Sequence, residues 1–313
     1  MTSRSPRNLA ASIHRRLLNG ARKRGEDAQF ILQRYAGERF LYRLGQSPHR
    51  EQLVLKGTML FALWGGSFYR PTRDLDFTGY GSDDREAVLQ RFQEIFTIPV
   101  ADDGLAFDAA TLTAEPIRDD AEYNGLQIRF QATLGGSLIP MRIDIGFGNA
   151  IVPPAIEAEY PTLLEAPAPR IRAYPHEAVV AEKFHAMVVL GERNSRYKDF
   201  YDLHVLARQF PFDGERLARA IAATFERRRT PIDAALPAAL APRFYADSAR
   251  AAQWRAYLTR DRLPGAPADF AAAGELLQTF LGPVWNALGA GRSFSDAWLP
   301  TGPWTAATKE SDR

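Results

Sequence analysis

Two aspartates separated by one residue, Asp74 and Asp76, are the groups in this chain best placed to do chemistry, and a third, Asp144, stands in a segment of similar character. Asp74 and Asp76 alternate with Leu75 and Phe77, a period of two that puts both carboxylates on one face of a strand and both hydrophobes on the other. Carboxylates about 7 Å apart along a strand can grip a hard divalent cation such as magnesium. Upstream, Lys56, Gly57 and Thr58 precede a short helical run. A Gly-Thr turn opening a helix leaves backbone N–H groups aimed outward as a seat for a phosphate, and the Thr58 hydroxyl adds a further donor. Asp-x-Asp alone is weak evidence. The order of turn, helix and paired carboxylates is what metal-dependent transfer of a nucleotide requires.

Asp144 lies in MRIDIGFG, where Met141, Ile143, Ile145 and Phe147 alternate with Arg142, Asp144 and Gly146, as in a strand buried on one face. A lone strand aspartate more often pairs with an arginine, here Arg73 or Arg142, than takes part in a reaction. The turn and the aspartate pair upstream reverse that preference and make Asp144 a third metal ligand and a candidate general base.

Four blocks then carry a resemblance: LVLKGTMLFAL (53–63), RPTRDLDF (70–77), RIDIGFG (142–148), and AEKFHAM with YKDFYDLHVLA (181–187 and 197–207). Their order and spacing resemble the AbiEii/AbiGii nucleotidyltransferase toxins of the polymerase-beta-like nucleotidyltransferase superfamily, over about residues 30–230. Many members of the wider superfamily open the site with Gly-Ser, whereas this chain has Gly57-Thr58; either hydroxyl can bond a phosphate oxygen. The resemblance implies an α+β fold, with a nucleotidyltransferase-like mixed sheet and flanking helices followed by a mainly helical C-terminal domain. It implies an NTP substrate, two magnesium ions on Asp74, Asp76 and Asp144, and a phosphate site using Lys56, Gly57, Thr58, Arg70, Arg73 and Lys198. It also implies active-site roles for Lys183 and for at least one of Asp199 and Asp202, although their spacing does not say which. A cognate antitoxin and an acceptor hydroxyl at the 3′ end of tRNA are expected by the same route. Nucleotidylation of a protein, or a non-catalytic nucleotide- or RNA-binding module, are the competing expectations.

Composition sets the bounds. With 313 residues, 46% hydrophobic and 24% charged, the chain can bury a sizeable core. Cysteine is absent, so no disulfide or thiolate metal site exists, and any metal must be held by oxygen or imidazole. No apolar run is long enough to span a membrane and no signal-like segment opens the chain, which leads to the expectation of a soluble cytoplasmic protein. The net charge is only +2, but residues 1–25 hold seven Arg or Lys and no acid. Arg15, Arg16, Arg22, Lys23 and Arg24 could therefore meet nucleic-acid phosphates or form a solvated face, and the cluster from Glu226 to Arg229 has the same ambiguity.

These chemical groups need elements to hold them. Helical spacing predicts helices over 8–24 and 27–45, and a further helix from about Asp83. The run from Gly125 to Gly148 reads as a hairpin turning at Gly135-Gly136-Ser137. Residues 151–175 contain six prolines and read as a crossover. Helices are expected over about 177–190 and 198–208, the first burying Val179, Val180, Phe184 and Met187, followed by Ala-rich helical patterns to about 289. Expected domains are N-terminal helices (1–49), a nucleotidyltransferase core (50–160), a helical domain (161–290) and an irregular tail (291–313) pinned by Trp298 and Trp304. His176, His185 and His204 are too scattered for a metal site and read as core or hydrogen-bonded histidines. P-loop, GxGxxG and GxSxG motifs are absent, which argues against P-loop NTPases, dinucleotide oxidoreductases and serine hydrolases.

Overall fold

Alternating burial along the two aspartate-bearing segments builds the sheet that carries them. The structure, a computed structural model, describes residues 6–65, 70, 72, 74–117, 125–263 and 265–307. It divides into two compact units, the first comprising Met1–Asn149 with Ile156–Ala173, the second Ala150–Ala155 with Tyr174–Arg313. No helix among the described residues is long and apolar enough to cross a membrane.

In the first unit, α1 (Pro6–Arg24) and α2 (Ala28–Gln46) precede β1 (Leu53–Lys56), α3 (Leu60–Gly65), β2 (Asp74–Gly79) and α4 (Arg85–Phe96). Then come β3 (Leu105–Pro116), β4 (Gly125–Leu134), β5 (Ser137–Phe147), β6 (Ile156–Glu159) and β7 (Arg170–Ala173). The seven strands form one sheet in the order β3-β4-β5-β2-β1-β7-β6. The β2–β5 and β1–β7 pairs are parallel and the others antiparallel, giving the mixed sheet expected of the α+β class. The β4–β5 hairpin closes through Gly135 and Gly136 alone, since Leu134 already pairs with Ser137. Both glycines have positive φ (56° and 89°), the backbone that a two-residue hairpin turn favours.

One face of this sheet is covered. Phe40 of α2 stacks on Phe92 of α4 at 5.4 Å and meets Phe77 and Phe130 of the sheet at 6.3 and 6.1 Å. Gly37 of α2 lies so close to Leu75 that a Cβ there would stand 3.3 Å from its Cδ1. Leu75, Phe77, Phe130, Ile143 and Ile145 are thus buried under helices, and the pleat turns their neighbours to the other face.

The 151–175 segment differs from its expected reading as a plain crossover, because it supplies β6 and β7 to the sheet. Its prolines, at 153, 154, 161, 167, 169 and 175, flank the two strands and leave Ile156–Glu159 and Arg170–Ala173 free of them. Proline therefore ends these strands without interrupting their ladders.

The second unit contains α5 (His176–Leu190), α6 (Tyr197–Gln209), β8 (Phe212–Asp213), α7 (Gly214–Arg227), α8 (Pro242–Tyr245), α9 (Ser248–Asp261) and α10 (Phe270–Gly289). Asp213, Asp247 and Asp269 cap α7, α9 and α10 by accepting from backbone N–H groups one turn in. Val179, Val180, Phe184 and Met187 of α5 are buried as expected. The tail is less irregular than expected, because β9 (Ala297–Trp298) pairs with both β8 and β10 (Trp304–Thr305) in a small sheet. Trp298 and Trp304 do pin it, donating their indole N–H groups to the Ala207 and Phe280 carbonyls at 2.7 and 2.8 Å.

Candidate active site

Strand register assembles the site. Lys56 of β1 is paired with Asp76 of β2, Asp76 with Asp144 of β5, and Asp144 with Gln127 of β4. Directly opposed residues share a face, so these four side chains form one row across four strands on the face opposite the Phe77 core. The amide of Gln127 donates from Nε2 to Oδ1 of Asp144 at 3.0 Å, while its Oε1 accepts from Nε of Arg129 at 2.8 Å. A carboxylate can only accept and a guanidinium only donate, so the two neighbours fix which way the amide points. Gln127 thereby orients Asp144 and leaves its Oδ2 for other partners.

Gly57 follows Lys56 in a 3₁₀ turn, Gly57–Met59, which leads into the short helix α3. Its φ is +73°, and a Cβ added there would lie 2.2 Å from Oδ2 of Asp76. Only glycine lets the turn pass this close to the carboxylate. Thr58 is buried, and its hydroxyl accepts a hydrogen bond from Nη2 of Arg70. Lys56, Gly57, Thr58, Arg70 and Asp76 are thus gathered at the β1–β2 end of the row. Arg73 lies outside the described residues.

Asp74 occupies the next row, opposite Arg142, which in turn is opposite Arg129. Arg142 forms an ion pair with Asp74, so the arginine weighed from the sequence as an alternative partner for Asp144 takes the carboxylate directly across from it. Asp76 and Asp144 offer oxygen donors on adjacent strands, a set that suits a hard cation. Among the described residues no three carboxylates or imidazoles converge on one point, and Asp74 joins the pair only on leaving Arg142.

In the second unit, Lys183 of α5 is held between two carboxylates of α6, with Nζ 2.9 Å from Asp199 Oδ1 and 2.7 Å from Asp202 Oδ2. Both aspartates are almost wholly buried, and Arg196 adds a contact from Nε to Asp199 Oδ2 at 2.8 Å. The three-residue spacing that puts Asp199 and Asp202 on one helix face is what lets both meet one ammonium. Lys198 instead is exposed, between buried Tyr197 and Asp199 in the first turn of α6.

Comparison with known proteins bears on this arrangement. A sequence model described as "Nucleotidyl transferase AbiEii toxin, Type IV TA system" matches residues 39–276, about three-quarters of the chain. The chain belongs to the AbiEii family. It is therefore a nucleotidyltransferase of a toxin family, and the family implies an NTP substrate and an antitoxin partner. Among solved structures, one described as a "putative nucleotidyltransferase" from Helicobacter pylori is 16% identical. That match covers 85% of this chain and 96% of the other, with a TM-score of 0.43. JHP933 from Helicobacter pylori is also 16% identical, over 80% of this chain and 93% of its own, with a TM-score of 0.45. No curated protein sequence matches.

The AbiEii motif blocks account for Lys56, Asp76, Asp144 and Gly57, but Gln127 of the row and its neighbour Arg129 fall outside them. Gln127 and Arg129 were missed in the sequence because nothing local distinguishes them from any other polar residues on the open face of a hairpin. Their signal is the pairing of Gln127 with Asp144, which counting back through the Gly135-Gly136 turn would have given. The histidines are structural. His185 bonds Thr230 Oγ1 at 2.8 Å and Arg228 Nη1 at 3.1 Å, and His176 stacks on Phe210 at 4.5 Å. Burial, reinforced by Arg216, Arg228 and Arg208 respectively, lowers the pKa of His176, His185 and His204 to about 4.

Proposed function

We propose that this AbiEii-family protein uses magnesium to transfer NMP from an NTP to an RNA 3′ hydroxyl, with tRNA as the acceptor, and that a cognate antitoxin restrains this activity in the cytoplasm. The observation that carries the reading is the in-register row of Lys56, Asp76, Asp144 and Gln127, with the Gly57 backbone pressed against Asp76. Asp76 and Asp144, joined by Asp74, would hold two magnesium ions. Bound there, the cations lower the pKa of the attacking hydroxyl and neutralise charge on the leaving pyrophosphate.

The protein's own groups divide the remaining work. The Gly57–Thr58 turn and Arg70 bind the triphosphate from the β1 side, where backbone donors and cations favour anionic oxygens, and Lys56 and Arg73 are included as further phosphate contacts. Asp144, its Oδ1 held by Gln127, takes the acceptor proton on Oδ2. The freed acceptor oxygen attacks the α-phosphorus, the bond to the β-phosphate breaks, and pyrophosphate leaves with the electron pair. Lys183, with Asp199 and Asp202, is included as a family-implied contributor, and Lys198 as a further phosphate contact.

The test is incubation with total tRNA, magnesium and each labelled NTP in turn, beside an Asp76→Ala variant. Label entering RNA only with the wild type supports the reading and names the base. Label entering the protein would replace the RNA acceptor by a protein one, and no label in either would refute transfer to both.

A further inference from the structure

Arg129 and Arg142 are an unusual pair. They stand directly opposite one another on adjacent antiparallel strands, where like charges repel and weaken the sheet. Each has a local acceptor, Asp74 for Arg142 and the Gln127 amide oxygen for Arg129, and Glu115 stands 3.9 Å from the latter. Both remain about half exposed, at 45% and 57% of the side chain. Between them and the start of β2 lies a cavity of about 350 Å³, which Asp74, Thr111, Gln131 and Gln33 also line. Thr111 reaches it because β3 breaks register between Asp108 and Thr113, and its hydroxyl there accepts from the Gln131 N–H at 2.9 Å. Phe130, Pro140 and Met141 give the cavity an apolar floor, while the two guanidiniums at its mouth, with Thr111 and Gln131, supply polar groups from three strands.

Its position relative to the row is informative. Gly57 and Thr58 follow β1 on one side of Asp76, whereas Arg142 and Arg129 lie on β5 and β4 on the other. Strands are about 4.8 Å apart, so the arginines are displaced from the turn by roughly 10–15 Å across the sheet. Phosphoryl transfer runs in line, with attacking and leaving oxygens on opposite sides of the phosphorus. If the triphosphate rests on the β1 side, the acceptor must approach over β5 and β4, past these two guanidiniums.

We propose that Arg129 and Arg142, at the mouth of this cavity, seat the phosphodiester backbone of the acceptor RNA next to its 3′ end. This rests on the reading of the row as a transferase site with an RNA acceptor. Arg142 exchanges the Asp74 carboxylate for an acceptor phosphate, and the same exchange frees Asp74 to turn toward the row. Planar guanidiniums suit phosphate oxygens, which they bind with two N–H groups at once.

The test is binding of the full chain to a fluorescent single-stranded RNA ending in a 3′-deoxynucleotide, without NTP, read by anisotropy over a range of salt. R129Q/R142Q is compared with the wild type and with R22Q/K23Q, which removes the same charge from the exposed face of α1. Loss of two phosphate contacts should weaken binding at least about tenfold and flatten the slope of log affinity against log salt by about 1.4. R22Q/K23Q should change both by less, and NTP binding by R129Q/R142Q should stay within about twofold of wild type. Equal RNA affinity and salt slope in R129Q/R142Q and wild type, with the wild type still labelling RNA, would overturn the seat alone. Labelling of protein and not RNA by the wild type would overturn the RNA reading and the seat with it.

Discussion

Substituting Gly57 by alanine should separate catalysis from stability, because the structure assigns the two costs to different atoms. Gly57 has φ +73°, and Gly136 in the β4–β5 turn has φ +89°, so alanine at either position meets the same left-handed backbone strain, of order 1–2 kcal/mol. Their surroundings differ: nothing lies within 4 Å of a Cβ at Gly136, whereas a Cβ at Gly57 would be 2.2 Å from Oδ2 of Asp76 and 2.9 Å from its Cγ. The nearest atom is the end of a side chain and turns away, while Cγ and the Asp76 Cβ, which would stand at 3.0 Å, need to give by only a few tenths of an ångström, so the added cost in stability is small. The carboxylate oxygen must move by about 1 Å, and a displacement of that size in a reacting constellation costs on the order of 100-fold in rate. Gly57→Ala and Gly136→Ala should therefore shift urea midpoints similarly, while only Gly57→Ala loses about 100-fold in kcat/KM for nucleotide incorporation. Activity of Gly57→Ala within threefold of Gly136→Ala would refute the argument, since Asp76 would then not need the position that Gly57 allows.

Gln127→Leu removes the donor that holds Asp144 and should lower kcat about 10-fold with KM for the NTP unchanged, as for partners that orient a ligand; a rise in KM at constant kcat would contradict an orienting role. Lys183→Met takes from Asp199 and Asp202, at 2% and 1% side-chain exposure, the ammonium they share, and should cost about 3–5 kcal/mol in urea unfolding. A loss below about 1 kcal/mol would show that the cluster is not held by its charges. His176, His185 and His204 take up protons near pH 4 when folded and near 6.5 when unfolded, so the unfolded state binds more protons as pH falls through this window. Stability should be full above pH 6.5 and fall by about 2 kcal/mol per histidine by pH 5. The H185Q variant should show a shallower fall, and an unchanged pH profile would remove His185 from the account.

Local periodicity made the carriers of the site legible, while their alignment was not. Leu75 and Phe77 are buried beside half-exposed Asp74 and Asp76, as a period of two demands, and the glycine pair does turn the β4–β5 hairpin. Nothing in either segment says that β2 and β5 run parallel in a register that sets Asp76 beside Asp144, with 67 residues between them. That depends on how the apolar faces of both strands settle under α2, a long-range packing outcome. For the same reason the alternative of an Arg142 partner for Asp144, set aside from the sequence, could not be replaced by the right one; a one-row offset gives Arg142 to Asp74. β6 and β7 were obscured by proline, whose local effect on the chain ends is strong enough to hide two four-residue strands between them. Lys183, Asp199 and Asp202 were legible as candidates through a family resemblance, but not as a closed ion-pair group, because the contact between α5 and α6 is tertiary.

The row's charge accounts for its partial exposure on a face where Val54 and Thr78, the next pair along, are buried. Two carboxylates directly opposite on neighbouring strands repel each other, and burying them under a helix would add desolvation to that repulsion. At the row the repulsion is moderated by the Gln127 amide on the β4 side and by the Lys56 ammonium, which reaches from β1 across to Gly146 of β5. The flanks also make the row directional. One end is cationic and adjoins a turn whose backbone can pass within contact of Asp76 only because residue 57 is glycine. The other end is a neutral donor backed by a guanidinium, which fixes one oxygen of Asp144 and leaves the second exposed to whatever approaches over β4 and β5. On the proposed reading, a triphosphate would be drawn to the first end, and a hydroxyl that must give up a proton would be served by the second. The direction of transfer would then be set by which strands flank the two aspartates, a matter of strand order more than of any single motif.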